Sequence, residues 1–261
     1  MPRPTALVTG ASSGIGLVFA RKLASDGHDL VLVARREGRL KEISDELAAA
    51  HGATTEVLVA DLTDGDDLAR VEARVSDTER PVDLLVNNAG FGTVGRFAEL
   101  PINEEDREIR LNVLALVHLT HAALGAMTAR NRGGILNVSS VASFQAGPYN
   151  ATYSATKAFV TSFTEAVSEE LRGTGVQVMA LCPGFTRTEF QETASAEAAS
   201  VPSLLWQDAE PVVDTALRDL RRRSTISIPG LHNKMAAMLS QLAPRALTRR
   251  MSGLVGRRLQ T

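Results

Sequence analysis

Cysteine is almost absent from this chain of 261 residues: Cys182 stands alone, so no internal disulfide can form. A lone thiol suits a reducing compartment, and the cytoplasm is the expected location. No apolar stretch is expected to reach the roughly 18 residues that a membrane span needs. Met1-Pro2-Arg3-Pro4 runs into an apolar strand without the apolar region and small-residue cleavage site of a signal peptide. Net charge is only -2, which argues against a nucleic-acid binder. No internal repeat and no low-complexity segment is visible. Carboxylates are missing from Leu231 onward, where Lys234, Arg245, Arg249, Arg250, Arg257 and Arg258 make the tail basic. Removing those six cations from the total of -2 leaves -8 on residues 1–230.

With 44% hydrophobic and 22% charged residues, the chain can bury one sizeable core, so residues 1–261 are expected to form a single domain. Short apolar runs recur at Ala6 to Val8, Leu30 to Val33, Val57 to Val59, Leu84 to Val86, Ile135 to Val138, Val176 to Leu181 and Ile226 to Ile228. Continuous rather than alternating runs imply strands buried on both faces. Helical patterns separate most of them, at Leu40 to Ala50, Asp66 to Val75, Glu104 to Ala129 and Ala155 to Leu171. That order predicts an α/β fold: a doubly wound parallel sheet of about seven strands between two helical layers. Residues 185–211 lack clear periodicity and are expected to form a lid over a binding site.

Chemistry concentrates in two places. Thr9-Gly10-Ala11-Ser12-Ser13-Gly14-Ile15-Gly16 follows the first strand directly, the context in which glycines build a phosphate cradle. One glycine permits a tight turn, another lets backbone approach a pyrophosphate, and Gly16 lets a helix pack closely on the strand. The helix opening near Gly14 turns its free N–H groups toward that anion. Farther on, Tyr153 and Lys157 share a helix face at i and i+4. A phenol titrates near pH 10, so an adjacent ammonium is expected to favour its ionised form.

These residues resemble the short-chain dehydrogenase/reductase family in its single-domain, Rossmann-type form, over about Thr5 to Thr188. The glycine run T-G-x-x-x-G-x-G is Thr9 to Gly16, the acidic adenine contact matches Asp61-Leu62, and N-N-A-G is Asn87-Asn88-Ala89-Gly90. The family's catalytic asparagine, serine, tyrosine and lysine fall on Asn112, Ser140, Tyr153 and Lys157. Pro183-Gly184 follow the sixth strand, with Thr186 and Thr188 at the usual spacing. Ser139 is adjacent, but the family's serine lies thirteen positions before the tyrosine, which selects Ser140. Only Tyr153, and not Tyr149, has a lysine four residues later.

The resemblance implies a nicotinamide-dependent oxidoreductase interconverting a carbonyl and an alcohol. Tyr153 would act as general acid or base, Ser140 would bind the carbonyl oxygen, and Lys157 would lower the tyrosine pKa and hold the nicotinamide ribose. Asn112 would anchor a water linking Lys157 to solvent. The expected cofactor contacts are Gly10, Ser12, Ser13, Gly14, Ile15, Gly16, Asp61, Leu62, Asn88, Ala89, Gly90, Tyr153, Lys157, Pro183, Gly184, Thr186 and Thr188. Ala34 stands at the end of the second strand where NAD-specific relatives place a carboxylate, and Arg35 and Arg36 follow it. A guanidinium pairs well with a 2'-phosphate, so NADP(H) is expected over NAD(H). Ser13 stands where many NADP-dependent relatives carry a basic residue, which lowers the expected selectivity.

Tyr149, Phe190 and Trp206 are expected at the substrate site, with Leu204 and Leu205 in the lid. His118 and His121, at i and i+3 of one helix, lack a completing ligand set, so no metal is expected. The family's habit of pairing helices implies a homodimer or homotetramer. Leu231, Met235, Met238, Leu239 and Leu242 recur at helical spacing and Leu247, Met251, Leu254 and Val255 resume the pattern after Pro244. The tail 231–261 is thus read as an amphipathic helical extension that covers the cleft or a partner subunit, with an anionic membrane surface as the alternative. The substrate is expected to be an apolar small-molecule ketone, aldehyde or alcohol. A 3-oxoacyl-thioester reductase is the rival enzyme, and a non-catalytic NADP sensor the rival from another class.

Overall fold

The computed structural model describes residues 3–188 and 203–243. Seven parallel strands form one sheet in the order β3-β2-β1-β4-β5-β6-β7. They are β1 (Thr5–Thr9), β2 (Asp29–Ala34), β3 (Thr55–Val59), β4 (Leu84–Asn87), β5 (Gly133–Val138), β6 (Val176–Leu181) and β7 (Ile226–Ser227). Between them run α1 (Gly14–Ser25), α2 (Glu37–His51), α3 (Gly65–Val75), α4 (Ile102–Ile109), α5 (Leu116–Ala129), α6 (Ala151–Glu170) and α7 (Ala209–Arg221). The last described helix is α8 (Leu231–Leu242).

Successive strand residues face opposite sides, and the two cores follow from that alternation. Ala6, Val8, Leu30 and Leu32 pack against Phe19 and Leu23 of α1, Leu40 and Ile43 of α2, and Val212 of α7. Leu7, Val31, Leu85 and Ile135 face Val71 of α3, Leu119 and Met127 of α5, and Val167 of α6. The result is the expected three-layer α/β/α fold. Leu7, Leu32, Leu85 and Ile135 retain no exposed surface; full burial of such a side chain contributes about 1.5–3 kcal/mol.

One expectation is corrected. Residues Ile102–Ala129 form a continuous 28-residue helical segment with an 18-residue window of mean hydropathy 1.4, so by length and composition it could cross a bilayer. Part of its apolar surface is used within the fold, where Ala115, Leu119, Ala123 and Met127 pack against the sheet, while Ile109 and Leu114 stay exposed. Where α4 meets α5, residues Arg110–Ala115 form a π-helical turn. Such a turn adds a residue to the helix and interrupts its regular ladder.

β1 pairs with β2 on one side and β4 on the other, so the chain reverses its winding direction there. Ligands of such sheets bind beyond the carboxyl ends of the strands at this crossing. The loops after β1 to β6 carry most of the expected site residues to that edge, Asp61 and Leu62 after β3 among them, and α6 carries Tyr153 and Lys157.

Candidate active site

A cleft of about 630 Å³ lies along this edge. At its nucleotide end, Gly10 and Gly14 have φ of 66° and 54°, a region that side chains disfavour. A Cβ on Gly10 would stand 2.7 Å from Asn88 Nδ2 and 3.1 Å from the Ala89 backbone. Helix α1 begins after Ser13 with no side-chain cap on its first turn. Its leading amides are therefore available to an anion. The donors and the space fit a dinucleotide pyrophosphate.

Asn88 works as a brace. Its amide donates to Thr9 O at 2.9 Å, while the backbone N–H groups of Asn88 and Ala89 donate to Thr9 Oγ1 at 2.9 and 3.0 Å. The β1 and β4 loops are thereby locked together. Gly16 is not part of the cleft wall. A Cβ there would lie 2.3 Å from Gly10 O and 2.4 Å from Asn88 Nδ2, so this position serves the packing of α1 against the turn.

Arg35 and Arg36 both line the cleft. Arg36 donates to Ser12 O at 3.0 Å and to Ser12 Oγ at 3.3 Å, joining the end of β2 to the glycine turn. Arg35, largely exposed, stands 3.9 Å from Asp61. Burial pushes the Asp61 carboxyl up, but the Thr63 amide and hydroxyl, with Arg35 and Arg107, outweigh it and hold the group below its usual range.

At the other end of the cleft, Ser140 follows β5 and caps a short turn, its hydroxyl accepting from Ala142 N at 3.1 Å. The same hydroxyl is hydrogen-bonded to Tyr153. The neighbouring Ser139 instead donates to Lys157 O at 2.8 Å. Lys157, almost wholly buried, donates from Nζ to Val138 O at 2.9 Å and stands 5.6 Å from the centroid of the Tyr153 ring. Burial lowers its ammonium to about 8, against a raising contribution from Glu108.

The expectation that Lys157 depresses the tyrosine is corrected by this geometry. Burial raises Tyr153 to about 12, and its hydrogen bond with Ser140 offsets only part of that. The ammonium lies over the ring and bonds a backbone carbonyl, and it is itself desolvated.

Asn112 sits in the π-helical turn, outside the cleft wall. Its amide clamps Phe91 from both sides, accepting from Phe91 N at 3.1 Å and donating to Phe91 O at 2.8 Å; it also donates to Thr156 Oγ1 at 3.2 Å. It thus ties the β4 loop to α6 one residue from Lys157. Gly92 then abuts the Tyr153 ring, where a Cβ would stand 2.7 Å from Cδ2.

A family model for short chain dehydrogenases matches residues 4–199. The chain belongs to this family. Short-chain dehydrogenases are oxidoreductases that bind a nucleotide cofactor and interconvert alcohols and carbonyls. A structure of a short-chain dehydrogenase from Sphingobium yanoikuyae in complex with NADPH is 38% identical, with 96% of this chain and 94% of that one covered at a TM-score of 0.84. The bulky-bulky ketone specific alcohol dehydrogenase from Comamonas testosteroni is 34% identical, covers 97% and 95%, and superposes with a TM-score of 0.81. A short chain dehydrogenase of Pseudocercospora fijiensis is 38% identical over 190 residues, which span 71% of this chain and 60% of that protein.

Within this short-chain dehydrogenase, the cleft wall brings together every expected cofactor contact except Gly16. Tyr149 and Trp206 lie outside it. Tyr149 has φ 68° and its carbonyl accepts from Gly95 N at 2.8 Å, joining the loop before α6 to the loop after β4. Trp206 packs at 5.7 Å, tilted 49°, on the exposed Phe185. Phe190 falls outside the described residues, as do Leu247, Met251, Leu254, Val255 and every tail arginine from Arg245 to Arg258. The ends of the expected lid are joined: Gln207 N donates to Phe185 O at 2.9 Å and Arg187 N to Gln207 O at 2.8 Å. His118 pairs with Glu72 at 2.7 Å across α3 and α5.

Sequence reasoning missed Glu104, Arg107 and Leu111, which also line the cleft. Their i, i+3, i+7 spacing on one helix face ahead of Asn112 was the readable signal. Arg107 stands 5.9 Å over the Phe91 ring. It missed Asn233 as well. This α8 residue donates to Gln207 Oε1 at 3.0 Å and Pro229 O at 2.8 Å, and its side chain fills the space a Cβ on Gly184 would need. The start of the tail thereby holds the lid base against the β6 loop.

Proposed function

We propose that this chain is an NADP(H)-dependent carbonyl reductase acting on an apolar, bulky ketone or aldehyde, with Tyr153 as general acid. The observation that carries the reading is one cleft with the uncapped glycine turn and Arg35–Arg36 at one end and Ser140, Tyr153 and Lys157 at the other. NADPH, when bound, supplies the hydride for the carbonyl carbon. The leading amides of α1 hold the pyrophosphate, and Arg35, with Arg36 behind it, pairs with the 2'-phosphate. Ser140 hydrogen-bonds the substrate oxygen and Tyr153 hands it a proton. A phenol held at about 12 stays protonated across the neutral range, which suits donation and hence reduction.

Lys157 anchors the ribose and counters charge that develops at the phenol. Asn112 fixes the Phe91 loop beside it. Phe185, packed on Trp206 between the cleft residues Gly184 and Thr186, gives a substrate leaving the cleft an exposed apolar surface to meet, in keeping with the NADPH held by the Sphingobium relative and the bulky ketones of the Comamonas one. Exposed Ile109, Leu114 and Phe159 on the α4–α6 side support assembly as a homodimer or homotetramer, and the cytoplasm is the proposed location.

Fluorescence titration with NADPH and NADH, followed by an absorbance screen of ketones, aldehydes and 3-oxoacyl thioesters, tests this. Tyr153→Phe should lower turnover by about 10²- to 10⁴-fold with NADPH affinity retained. Turnover equal to wild type in that variant would remove Tyr153 from the mechanism.

A further inference from the structure

The cleft wall that follows β6 is extended chain. Gly184, Thr186 and Thr188 line the cleft, while Phe185 and Arg187 between them are exposed, the alternation expected of such a backbone. The stretch reaches the glycine turn, where a Cβ on Gly14 would stand 3.2 Å from Thr188 Cβ. It therefore flanks the cofactor cleft from the end of β6 to the start of α1. Its main-chain partner is Gln207, which forms a parallel bridge with Thr186. Gln207 N donates to Phe185 O at 2.9 Å and accepts at its carbonyl from Arg187 N at 2.8 Å.

Gln207 is itself held by a side chain from α8. Asn233, only 7% exposed, donates from Nδ2 to Gln207 Oε1 at 3.0 Å and to Pro229 O at 2.8 Å. Both hydrogens of that amide are thereby used. The same side chain packs on Gly184, where a Cβ would stand 2.4 Å from Asn233 Oδ1 and 2.5 Å from Nδ2. Gly230, with φ 88°, leaves matching room for Gln207, whose Nε2 a Cβ would meet at 2.2 Å. One buried amide thus touches the first residue of the cleft wall and the residue that pairs with it.

We propose that Asn233 is a positioning residue of the cofactor site: acting through Gln207 and Gly184, it fixes the 184–188 wall along the cleft and makes α8 part of the machinery that holds NADPH. The inference rests on the cofactor contacts proposed for Gly184, Thr186 and Thr188. Without Asn233 the wall is no longer held in place before the cofactor arrives, and ordering it then counts against binding.

Asn233→Leu keeps the bulk and removes both donated bonds. Fluorescence titration should show NADPH bound about 5- to 10-fold more weakly, the order of one neutral hydrogen bond, and kcat at saturating NADPH should be close to that of wild type. Gln207→Leu should give a similar loss. The double variant should lose no more than the worse single one, because both act through one contact. Ser240→Gly separates this from a general loosening of α8. Its hydroxyl bonds Ala237 O inside the helix, so the change weakens the helix without reaching the cleft wall, and NADPH should bind as in wild type. An affinity within about twofold of wild type in Asn233→Leu overturns the proposal, as does an equal loss in Ser240→Gly or full additivity in the double variant. Should Asn233→Leu not fold, Gln207→Leu decides by the same limit. Titration needs no substrate, so absent turnover in wild type refutes the reductase reading and leaves the binding comparison to decide this one, made with NADH if wild type prefers it.

Discussion

Replacing Gly16 by Ala isolates the geometry of the glycine turn from its chemistry. The new Cβ would stand 2.3 Å from Gly10 O and 2.4 Å from Asn88 Nδ2. The first of these is backbone and cannot rotate away, so α1 and the turn must separate by about 1 Å to restore ordinary contact, a strain that costs about 1–3 kcal/mol. Alanine in place of a helical glycine returns about 1 kcal/mol, so global stability should fall by no more than about 2 kcal/mol. Nucleotide binding should suffer more. Shifting the leading amides of α1 spoils about two hydrogen bonds to a charged phosphate, each contributing about 1.5–3 kcal/mol. NADPH should therefore bind about 10²- to 10⁴-fold more weakly. Gly38→Ala, in α2 where an added Cβ meets nothing within 4 Å, is the control and should bind normally. Fluorescence titration beside urea unfolding separates the two effects. An affinity within threefold of wild type for Gly16→Ala would refute the claim that the turn must hold its place.

Arg35→Ala combined with Arg36→Ala should weaken NADPH about 10- to 100-fold through lost charge-assisted bonds and leave NADH unaffected; an equal loss for both cofactors would show a collapsed turn instead. Lys157 gives the folded state a pH signature: the unfolded chain keeps that proton to about 10.5 and the folded chain only to about 8. Between those values the unfolded state binds more protons, so stability should rise with pH, by up to about 3 kcal/mol. Urea midpoints at pH 8 and 10 should show that rise in wild type and lose it in Lys157→Met, and parallel curves would contradict the depressed ammonium. Asp64 caps α3 by accepting from Asp66 N and Asp67 N at 3.0 Å. Asp64→Ala should cost about 1 kcal/mol and lower Tm by about 2–4 °C, with NADPH affinity unchanged.

Much of the architecture was legible because parallel strands bury both faces. Runs such as Leu30 to Val33 then read as unbroken apolar segments, and the helices between them keep their own period. The same rule hid the membrane-like window in 102–129. A core helix packed on a sheet and an intramembrane helix both need an apolar side, and composition alone does not separate them. The π-helical turn at 110–115 was invisible too, since Arg110-Leu111-Asn112 satisfies an ordinary helical pattern. Only the Asn112 clamp on Phe91 shows what the extra residue does.

The site residues were legible as types and spacings, whereas their electrostatics were not. Tyr153 and Lys157 at i and i+4 suggest an ion pair, yet both belong to a face that burial has dried. Desolvation pushes the phenol up and the ammonium down, so neither group meets the charge that the spacing implies. For Lys157 alone, part of this is opposed by Glu108 of α4, about fifty residues earlier in the chain, which with Glu105 is spaced like any solvated helical pair. Their burial follows from α4 packing over α6, where they meet Thr93 and Thr152, and a linear reading had no means of placing them there. Burial in the packed layers is thus the leading cause of both shifts, and the i, i+4 spacing of the two residues carries no trace of it.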